Sequence, residues 1–159
     1  MKTFTRRTYS LDKLRQEITG IIADRDLIPR VLGGAEISGA FRERLMLEVT
    51  GVNNCRYCAA FHSRLGKMAG LSDSETKDCL AGSVEQAPEV ERAALLYARH
   101  WAETDCNPDP AERQKLVDAY GEGKAGVIEM ALRLIRVGNL SGNTFDSILF
   151  KLTGGLAGG

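Results

Sequence analysis

Residues 53–62 read Asn-Asn-Cys-Arg-Tyr-Cys-Ala-Ala-Phe-His and follow an apolar run at helical spacing that ends near Gly51. Glycine and asparagine favour turns and caps, so we expect one helix to end here and another to begin near Cys55. On a helix of 3.6 residues per turn, Cys55, Cys58 and His62 fall on one face, within roughly 60° of each other. The unpaired N–H groups and the positive dipole end of a helix start stabilise a thiolate at this position.

Helical patterns continue on both sides of this segment, with no alternating run of β-branched residues bounded by turns. Pro29 and the Gly33-Gly34 pair are expected to interrupt the chain after the first helix. The predicted helices cover residues 10–26, 41–52, 55–69, a short stretch after the Ser72 capping box, 89–104, 110–121 and 125–152, the last with a bend near 138–142. The sequence therefore predicts one all-α domain over residues 1–159, with a core at 10–152 and a mobile glycine-rich tail at 153–159.

Length and charge limit the classes of function. The 159 residues are enough to bury a hydrophobic core, and 21 Lys and Arg balance 21 Asp and Glu. This balance argues against partners such as nucleic acid or an anionic membrane surface. No apolar stretch approaches the roughly 18 residues of a membrane span, and no secretory signal follows the basic start, which we expect to be a solvated terminus. A cytoplasmic location, where thiols stay reduced, is expected.

Three interpretations of the Cys-x-x-Cys pair stay open from the residues alone: a redox pair, part of a zinc site, or buried packing. Attachment of c-type haem requires a histidine where Ala59 stands, and a thioredoxin motif requires a preceding strand. A zinc finger requires a second ligand pair, whereas Cys79 and Cys106 are isolated and are expected to be buried small hydrophobes. A zinc ion held by the two cysteines, His62 and one carboxylate is the main alternative to redox chemistry.

Upstream of the cysteines stands a carboxylate, Glu43, so that residues 43–62 follow the pattern Glu-x11-Cys-x2-Cys-x3-His. This pattern resembles that of the AhpD-like alkylhydroperoxidases, within the carboxymuconolactone decarboxylase-like superfamily. The resemblance covers residues 41–70 and departs at Tyr57, where the best-studied branch has a histidine. It implies a compact all-α fold that assembles into homo-oligomers, as trimers or hexamers. The paired cysteines argue against the decarboxylase branch, which generally lacks them.

The resemblance also implies roles for four residues. Cys58 is expected to be oxidised to a sulfenic acid, Cys55 to donate a proton and resolve it, and Glu43 and His62 to relay protons. The implied protein is a thiol-dependent peroxidase or disulfide oxidoreductase that needs no cofactor or metal. It acts on a hydroperoxide or disulfide and is regenerated by an external thiol reductant or a redox protein. A non-enzymatic helical oligomer is a further alternative.

Other side chains receive expectations from their position alone. Met46, Tyr57, Phe61 and the last helix are the candidate lining of a substrate pocket. Glu48 lies five residues from Glu43, on a different helix face, and is expected to be solvated or ion-paired.

Overall fold

The computed structural model describes residues 3–159, which fold into seven helices. No strand occurs within this range, so the all-α prediction is confirmed. None of the helices described has the length and apolar content that crossing a bilayer requires. In chain order they are α1 (Leu11–Ala23), α2 (Leu27–Leu32), α3 (Gly39–Asn53), α4 (Arg56–Met68), α5 (Asp73–Ala81), α6 (Glu89–Glu103) and α7 (Pro110–Leu152).

Several helix starts are set by side-chain caps. The Ser10 hydroxyl accepts a hydrogen bond from the Lys13 N–H at 3.3 Å at the start of α1. At α5, Ser72 and Glu75 form a reciprocal capping box, with the two hydrogen bonds at 2.8 and 3.1 Å. Asp109 caps α7, whose first residue is a proline. These caps satisfy N–H groups that have no partner within their own helix.

The region after α1 differs from the expectation. Pro29 and the Gly33-Gly34 pair do not simply interrupt the chain, because residues 27–32 form α2. Pro29 is the third residue of this helix, where its missing N–H removes no intrahelical hydrogen bond. Gly33 caps the other end by donating its N–H to the Pro29 carbonyl at 2.8 Å.

The long helix α7 is broken once, at Gly121, whose φ of 76° and ψ of 157° are not helical. Glycine has no Cβ and adopts this positive φ without strain, which confirms the predicted end of a helix here. The expected bend near residues 138–142 is wrong, because Gly121 is the one non-helical position between Pro110 and Leu152. The glycines at 138 and 142 therefore need another explanation.

Helix α3 lies at the centre of the fold and packs against α4, α5, α6 and α7. Its buried residues include Leu45 and Val49, which join a core shared with α6 and α7, and Leu47, which packs in a second cluster with Leu71 and Cys79. α3 also buries carboxylates, at Glu43 and Glu48. Burial of a charged group is unfavourable unless it is paired, so each of these carboxylates needs a partner.

Some residues at both ends of the described chain are packed against the rest of the fold. Arg6 donates to the buried carboxylate of Asp146 at 2.9 Å, and Arg7 donates to the Glu103 carbonyl at 2.8 Å. The Gly158 carbonyl accepts a second hydrogen bond from Arg6, and Gly158 itself is buried. The expectation of a solvated basic start is therefore wrong for Arg6 and Arg7, whereas the mobility of the tail stays a prediction. In both cases the contact is made with a group far away in sequence.

Candidate active site

The turn between α3 and α4 places a sulfur where a helix-capping oxygen usually stands. Asn54 adopts left-handed angles, φ 53° and ψ 40°, and ends α3. Cys55 is then the N-cap of α4, and its Sγ accepts a hydrogen bond from the Cys58 N–H at 3.4 Å. Cysteine is not among the preferred N-cap residues. Its sulfur here nevertheless takes the place of the usual capping oxygen, and one of the N–H groups that α4 leaves unpaired at its start points at this sulfur.

The two sulfurs of the Cys-x-x-Cys pair lie close together. Cys55 Sγ and Cys58 Sγ are 2.8 Å apart, against about 2.05 Å for a covalent disulfide, so both thiols are free. Cys55 is fully buried, whereas Cys58 is partly exposed. A small movement of either side chain therefore suffices to form the bond, and Cys58 is the sulfur that a solute reaches.

The two thiols of this pair have their pKa values shifted in opposite directions. The hydrogen bond with the Cys58 thiol lowers the pKa of Cys55 to about 6, against burial, and the N–H groups of Cys58 and Tyr57 contribute. The same hydrogen bond, together with burial, raises the pKa of Cys58. The reduced pair thus holds one proton and one negative charge near neutral pH, with the charge at Cys55.

His62 and Glu43 form the second polar pair of the site. His62 Nδ1 lies 2.7 Å from Glu43 Oε2, and the Glu43 side chain is 2% exposed. Arg42 Nε donates to the other Glu43 oxygen at 3.3 Å. Glu43 reaches this position because α3 runs beside α4, so residues 19 apart in sequence meet. The structure brings Glu43 to the imidazole, which itself lies one helical turn beyond Cys58.

Cys58 and His62 line one open, mostly apolar pocket of about 470 Å³. The pocket includes all three side chains expected there, Met46, Tyr57 and Phe61. Its remaining lining comes from α2 and α7: Leu32, Leu134, Ile135 and Gly138. An apolar wall beside a thiol and an imidazole accommodates the organic part of a small ligand and leaves its polar end at the sulfur.

Sequence reasoning missed the contribution of α7 to the dithiol. A Cβ atom at Gly142 would lie 2.8 Å from Cys55 Sγ, and one at Gly138 would lie 3.7 Å from Cys58 Sγ. The side chain of Asn139, between them, is fully buried and is hydrogen-bonded to Thr50 and Asn53 of α3. The sequence does contain a repeated Gly-Asn dipeptide, at 138–139 and 142–143. That this repeat lies beside the cysteines depends on where α7 packs.

Tyr57 is held by a charged network beside the dithiol. Its hydroxyl donates to Asp146 Oδ1 at 2.7 Å, and Arg56 and Arg6 also donate to the Asp146 carboxylate. Burial raises the pKa of Asp146, but these three hydrogen bonds outweigh it and keep the pKa below the ordinary value. Tyr57 therefore faces a carboxylate rather than His62, and its ring stays at the pocket wall.

The zinc alternative finds no support in the side-chain placement. Over residues 3–159, no three His, Cys, Asp or Glu side chains are grouped so that they could hold one ion. Sulfurs bound tetrahedrally to zinc at about 2.3 Å lie roughly 3.8 Å apart, well beyond the 2.8 Å between Cys55 and Cys58. His62 also directs one ring nitrogen at Glu43.

The other two cysteines lie away from the pocket. Cys79 is buried, as expected, and burial raises its pKa to about 12. Cys106 is only half-buried, and burial raises its pKa as well. Both thiols are therefore largely protonated at neutral pH, which makes them poor nucleophiles.

Glu48, expected to be solvated or ion-paired, is not solvated but is ion-paired. It is fully buried, and neither of its oxygens accepts a hydrogen bond from the described residues. Its ion-pair partner is Arg99, with Nη1 at 3.7 Å. Burial raises the pKa of Glu48 to about 8, and Arg99 only partly opposes this.

Comparison with known proteins connects this geometry to a family. The sequence model of the Carboxymuconolactone decarboxylase family matches residues 30–103. No curated protein and no solved structure matches the chain significantly. The match spans α3 through α6 and includes all four residues of the Glu-x11-Cys-x2-Cys-x3-His pattern, which confirms the resemblance inferred from their spacing. Residues 30–103 of this chain are thus similar to the Carboxymuconolactone decarboxylase family.

Proposed function

We propose that this protein is an AhpD-like thiol peroxidase or disulfide oxidoreductase that cycles the Cys55–Cys58 pair between dithiol and disulfide. One observation carries the proposal. Two free sulfurs lie 2.8 Å apart at a helix start, and the more exposed one shares an apolar pocket with an imidazole paired to a buried carboxylate. The paired cysteines favour this chemistry over that of the decarboxylase branch.

Cys58 is proposed as the attacking sulfur because it lines the pocket, whereas Cys55 is buried. Its proton first moves to the Cys55 thiolate across the short gap between the sulfurs. The Cys58 thiolate then attacks a hydroperoxide oxygen, so that an S–O bond forms while the O–O bond breaks. Cys55 gives its proton to the departing alkoxide, which leaves as an alcohol, and Cys58 becomes a sulfenic acid.

Cys55 is proposed to resolve this intermediate. Its thiolate attacks the Cys58 sulfur, the S–S bond forms, and hydroxide leaves. Hydroxide takes a proton delivered from solvent through the His62–Glu43 pair and becomes water. Overall the dithiol is oxidised by two electrons and the hydroperoxide is reduced to an alcohol and water. For a disulfide substrate, the same thiolate attack forms a mixed disulfide that Cys55 releases.

Regeneration requires an electron donor. An external thiol reductant or a redox protein is proposed to attack the disulfide at Cys58, the accessible sulfur, and to restore the dithiol by exchange. We further propose that the AhpD-like unit covers the whole chain, that it assembles into a trimer or hexamer, and that it works in the reducing cytoplasm. No cofactor or resident metal enters this scheme.

The test is a titration of the reduced protein with an organic hydroperoxide, with thiol counting and mass spectrometry. We expect loss of two thiols per chain and an intramolecular Cys55–Cys58 disulfide. Cys58→Ser should abolish oxidation, and Cys55→Ser should accumulate a sulfenic acid at Cys58 that dimedone traps. Cys106→Ser is the matched control and should leave the reaction unchanged.

Three outcomes would overturn the proposal. Undiminished oxidation in Cys58→Ser would remove the assignment of the attacking sulfur. About one zinc per purified chain, with both thiols protected from peroxide, would establish the metal alternative. No change in thiol content across the titration would favour a non-enzymatic helical protein.

A further inference from the structure

We propose that Asp146 is a positioning residue of the dithiol, whose buried carboxylate holds the turn around Cys55 and so keeps this sulfur covered. The inference rests on the proposed thiol chemistry, in which Cys58 attacks the substrate and Cys55 resolves the intermediate. Asp146 belongs to α7 and lies outside the segment that matches the family.

The turn covers residues 53–57, from the end of α3 to the first residues of α4. Cys55 stands at its centre and is fully buried. Asn54 is left-handed, and Cys55 is extended, with φ −82° and ψ 104°. Because two successive residues leave the helical conformation here, contacts from other parts of the chain determine whether the turn keeps one shape.

Three residues of this turn depend on the Asp146 carboxylate. Its Oδ1 accepts hydrogen bonds from Arg56 Nη2 at 2.6 Å and from the Tyr57 hydroxyl at 2.7 Å. Its Oδ2 accepts from Arg6 Nη1 at 2.9 Å, and the same nitrogen donates to the Asn54 carbonyl at 3.4 Å. Both sides of the turn are thereby tied to one carboxylate.

These contacts are strong because they involve charged groups. The Asp146 side chain has no exposed surface, so its charge depends on the two guanidinium groups and the hydroxyl that donate to it. Without the carboxylate, the half-exposed side chain of Arg56 is free to turn to solvent. The hydrogen bond from Asn143 to the Asn53 carbonyl, at 2.7 Å, would then hold only the first residue of the turn.

The position of the turn decides what covers Cys55. A Cβ added at Gly142 would lie 2.8 Å from Cys55 Sγ and 3.3 Å from Tyr57 Cδ2, so the sulfur and the ring flank the same point of α7. Asp146 lies one helical turn further along. A turn that moves away from α7 exposes Cys55, and the two sulfurs then no longer differ in access. The proposed division of roles requires that difference.

The experiment labels the reduced protein with iodoacetamide at pH 8 and measures the initial rate at each cysteine by mass spectrometry. Cys55, with a pKa of about 6, is already a thiolate at this pH, so its rate reports access. Trypsin cleaves after Arg56, which puts Cys55 and Cys58 on separate peptides. The variants are Asp146→Asn, which keeps the shape but removes the charge, and Tyr57→Phe, which removes one hydrogen bond.

Glu17→Gln is the matched control. Glu17 is another buried acid, and it pairs with Arg136 of α7 at a cavity that does not include the dithiol. Its substitution removes a buried ion pair with α7 and leaves the turn untouched. Cys79 is buried in α5, so its labelling reports unfolding of the whole protein. Low urea separates the two routes, because a local opening exposes little surface and depends weakly on urea.

We expect Cys55 to be labelled roughly tenfold faster in Asp146→Asn than in wild type, the size of one hydrogen bond to a charged group, and about threefold faster in Tyr57→Phe. These increases should hardly change with urea up to about 1 M. Glu17→Gln should keep the wild-type rate at Cys55.

Three results would overturn the proposal: an unchanged rate at Cys55 in both variants, an increase that grows with urea in parallel with Cys79, or an equal increase in Glu17→Gln. If Asp146→Asn does not fold, Tyr57→Phe decides by the same criteria.

Failure of this inference is distinguishable from failure of the proposed function, because labelling requires no peroxide. A wild-type protein that peroxide does not oxidise, together with the expected labelling rates, would support the role of Asp146 and overturn the peroxidase. Normal peroxide oxidation with unchanged labelling rates would do the reverse.

Discussion

Gly142 leaves the space that Cys55 occupies. A side-chain carbon at position 142 would lie 2.8 Å from Cys55 Sγ and 3.3 Å from Tyr57 Cδ2, closer than carbon and sulfur approach without strain. Because α7 keeps helical angles through this residue, the glycine is explained by packing against a thiol and not by a bend. The last helix thereby sets the position of the buried sulfur.

Gly142→Ala should therefore destabilise the protein by about 1–3 kcal/mol through overpacking, although alanine favours a helix by about 1 kcal/mol over glycine. It should also slow formation of the Cys55–Cys58 disulfide. Urea unfolding and the rate of thiol loss measure the two effects. Gly126→Ala is the control, because its new Cβ would make an ordinary 3.7 Å contact with Leu27. Equal stability of the two variants would contradict the packing explanation.

The pH dependence of the thiols gives a second prediction. In a Cys79→Ser, Cys106→Ser background, absorbance at 240 nm should show one thiolate forming near pH 6, the value to which Cys58 lowers the pKa of Cys55. The pKa of Cys55 in the folded protein lies below the ordinary value of 9.0. The Cys55 thiolate therefore stabilises the fold fully above pH 9, and this stabilisation is lost as the pH falls through 6. Cys58→Ala should move the midpoint upward. A midpoint unaffected by Cys58→Ala would contradict the shared proton.

Glu43→Gln tests the carboxylate behind the imidazole. The amide keeps the shape of the side chain but removes the charge that faces His62 at 2.7 Å. We expect the conversion of Cys58 sulfenic acid to disulfide to slow by about 100-fold or more, so that dimedone traps the intermediate. Stopped-flow oxidation and mass spectrometry measure this. A wild-type rate, in a variant with wild-type thermal stability, would exclude Glu43 from the proton relay.

Glu48 is expected to govern the pH dependence of stability. Burial raises the pKa of Glu48 in the folded protein to about 8 from 4.5. The contribution of Glu48 to the free energy of unfolding is therefore fully present below pH 4.5 and is lost as the pH rises through 8. Glu48→Gln should therefore be more stable than wild type at pH 9, on the order of 2–4 kcal/mol, and similar at pH 4.5. Urea denaturation at both values measures the difference. If the free energy of unfolding depends on pH in the same way in the two proteins, Arg99 neutralises the carboxylate.

Local patterns predict much of this fold because their physics is local. The Ser72–Glu75 capping box, the Asp109-Pro110 start and the helix end at Gly121 each depend on groups within a few residues. The error at Pro29 is also local, since proline is compatible with the first turn of a helix as well as with a turn.

The residues of the candidate site also fall into two groups, those that local spacing predicts and those that only packing brings together. The Cys-x-x-Cys-x3-His spacing predicts neighbours on one helix, and the pattern that includes Glu43 led to the family. Gly138, Gly142 and Asp146 could not be found from the sequence, because they approach the residues at the start of α4 only when α7 packs there. Nothing in their immediate neighbourhood along the chain indicates a thiol.

By itself, the sequence determined that this protein is helical and that two thiols and an imidazole share one helix, since helix geometry follows from residue spacing alone. The tertiary structure decided which sulfur is buried and charged, which one faces the pocket, and which partner meets His62. Those properties depend on what covers each atom and on how close distant groups come. Exposure and ionisation are consequences of packing, and packing joins residues that the chain keeps far apart.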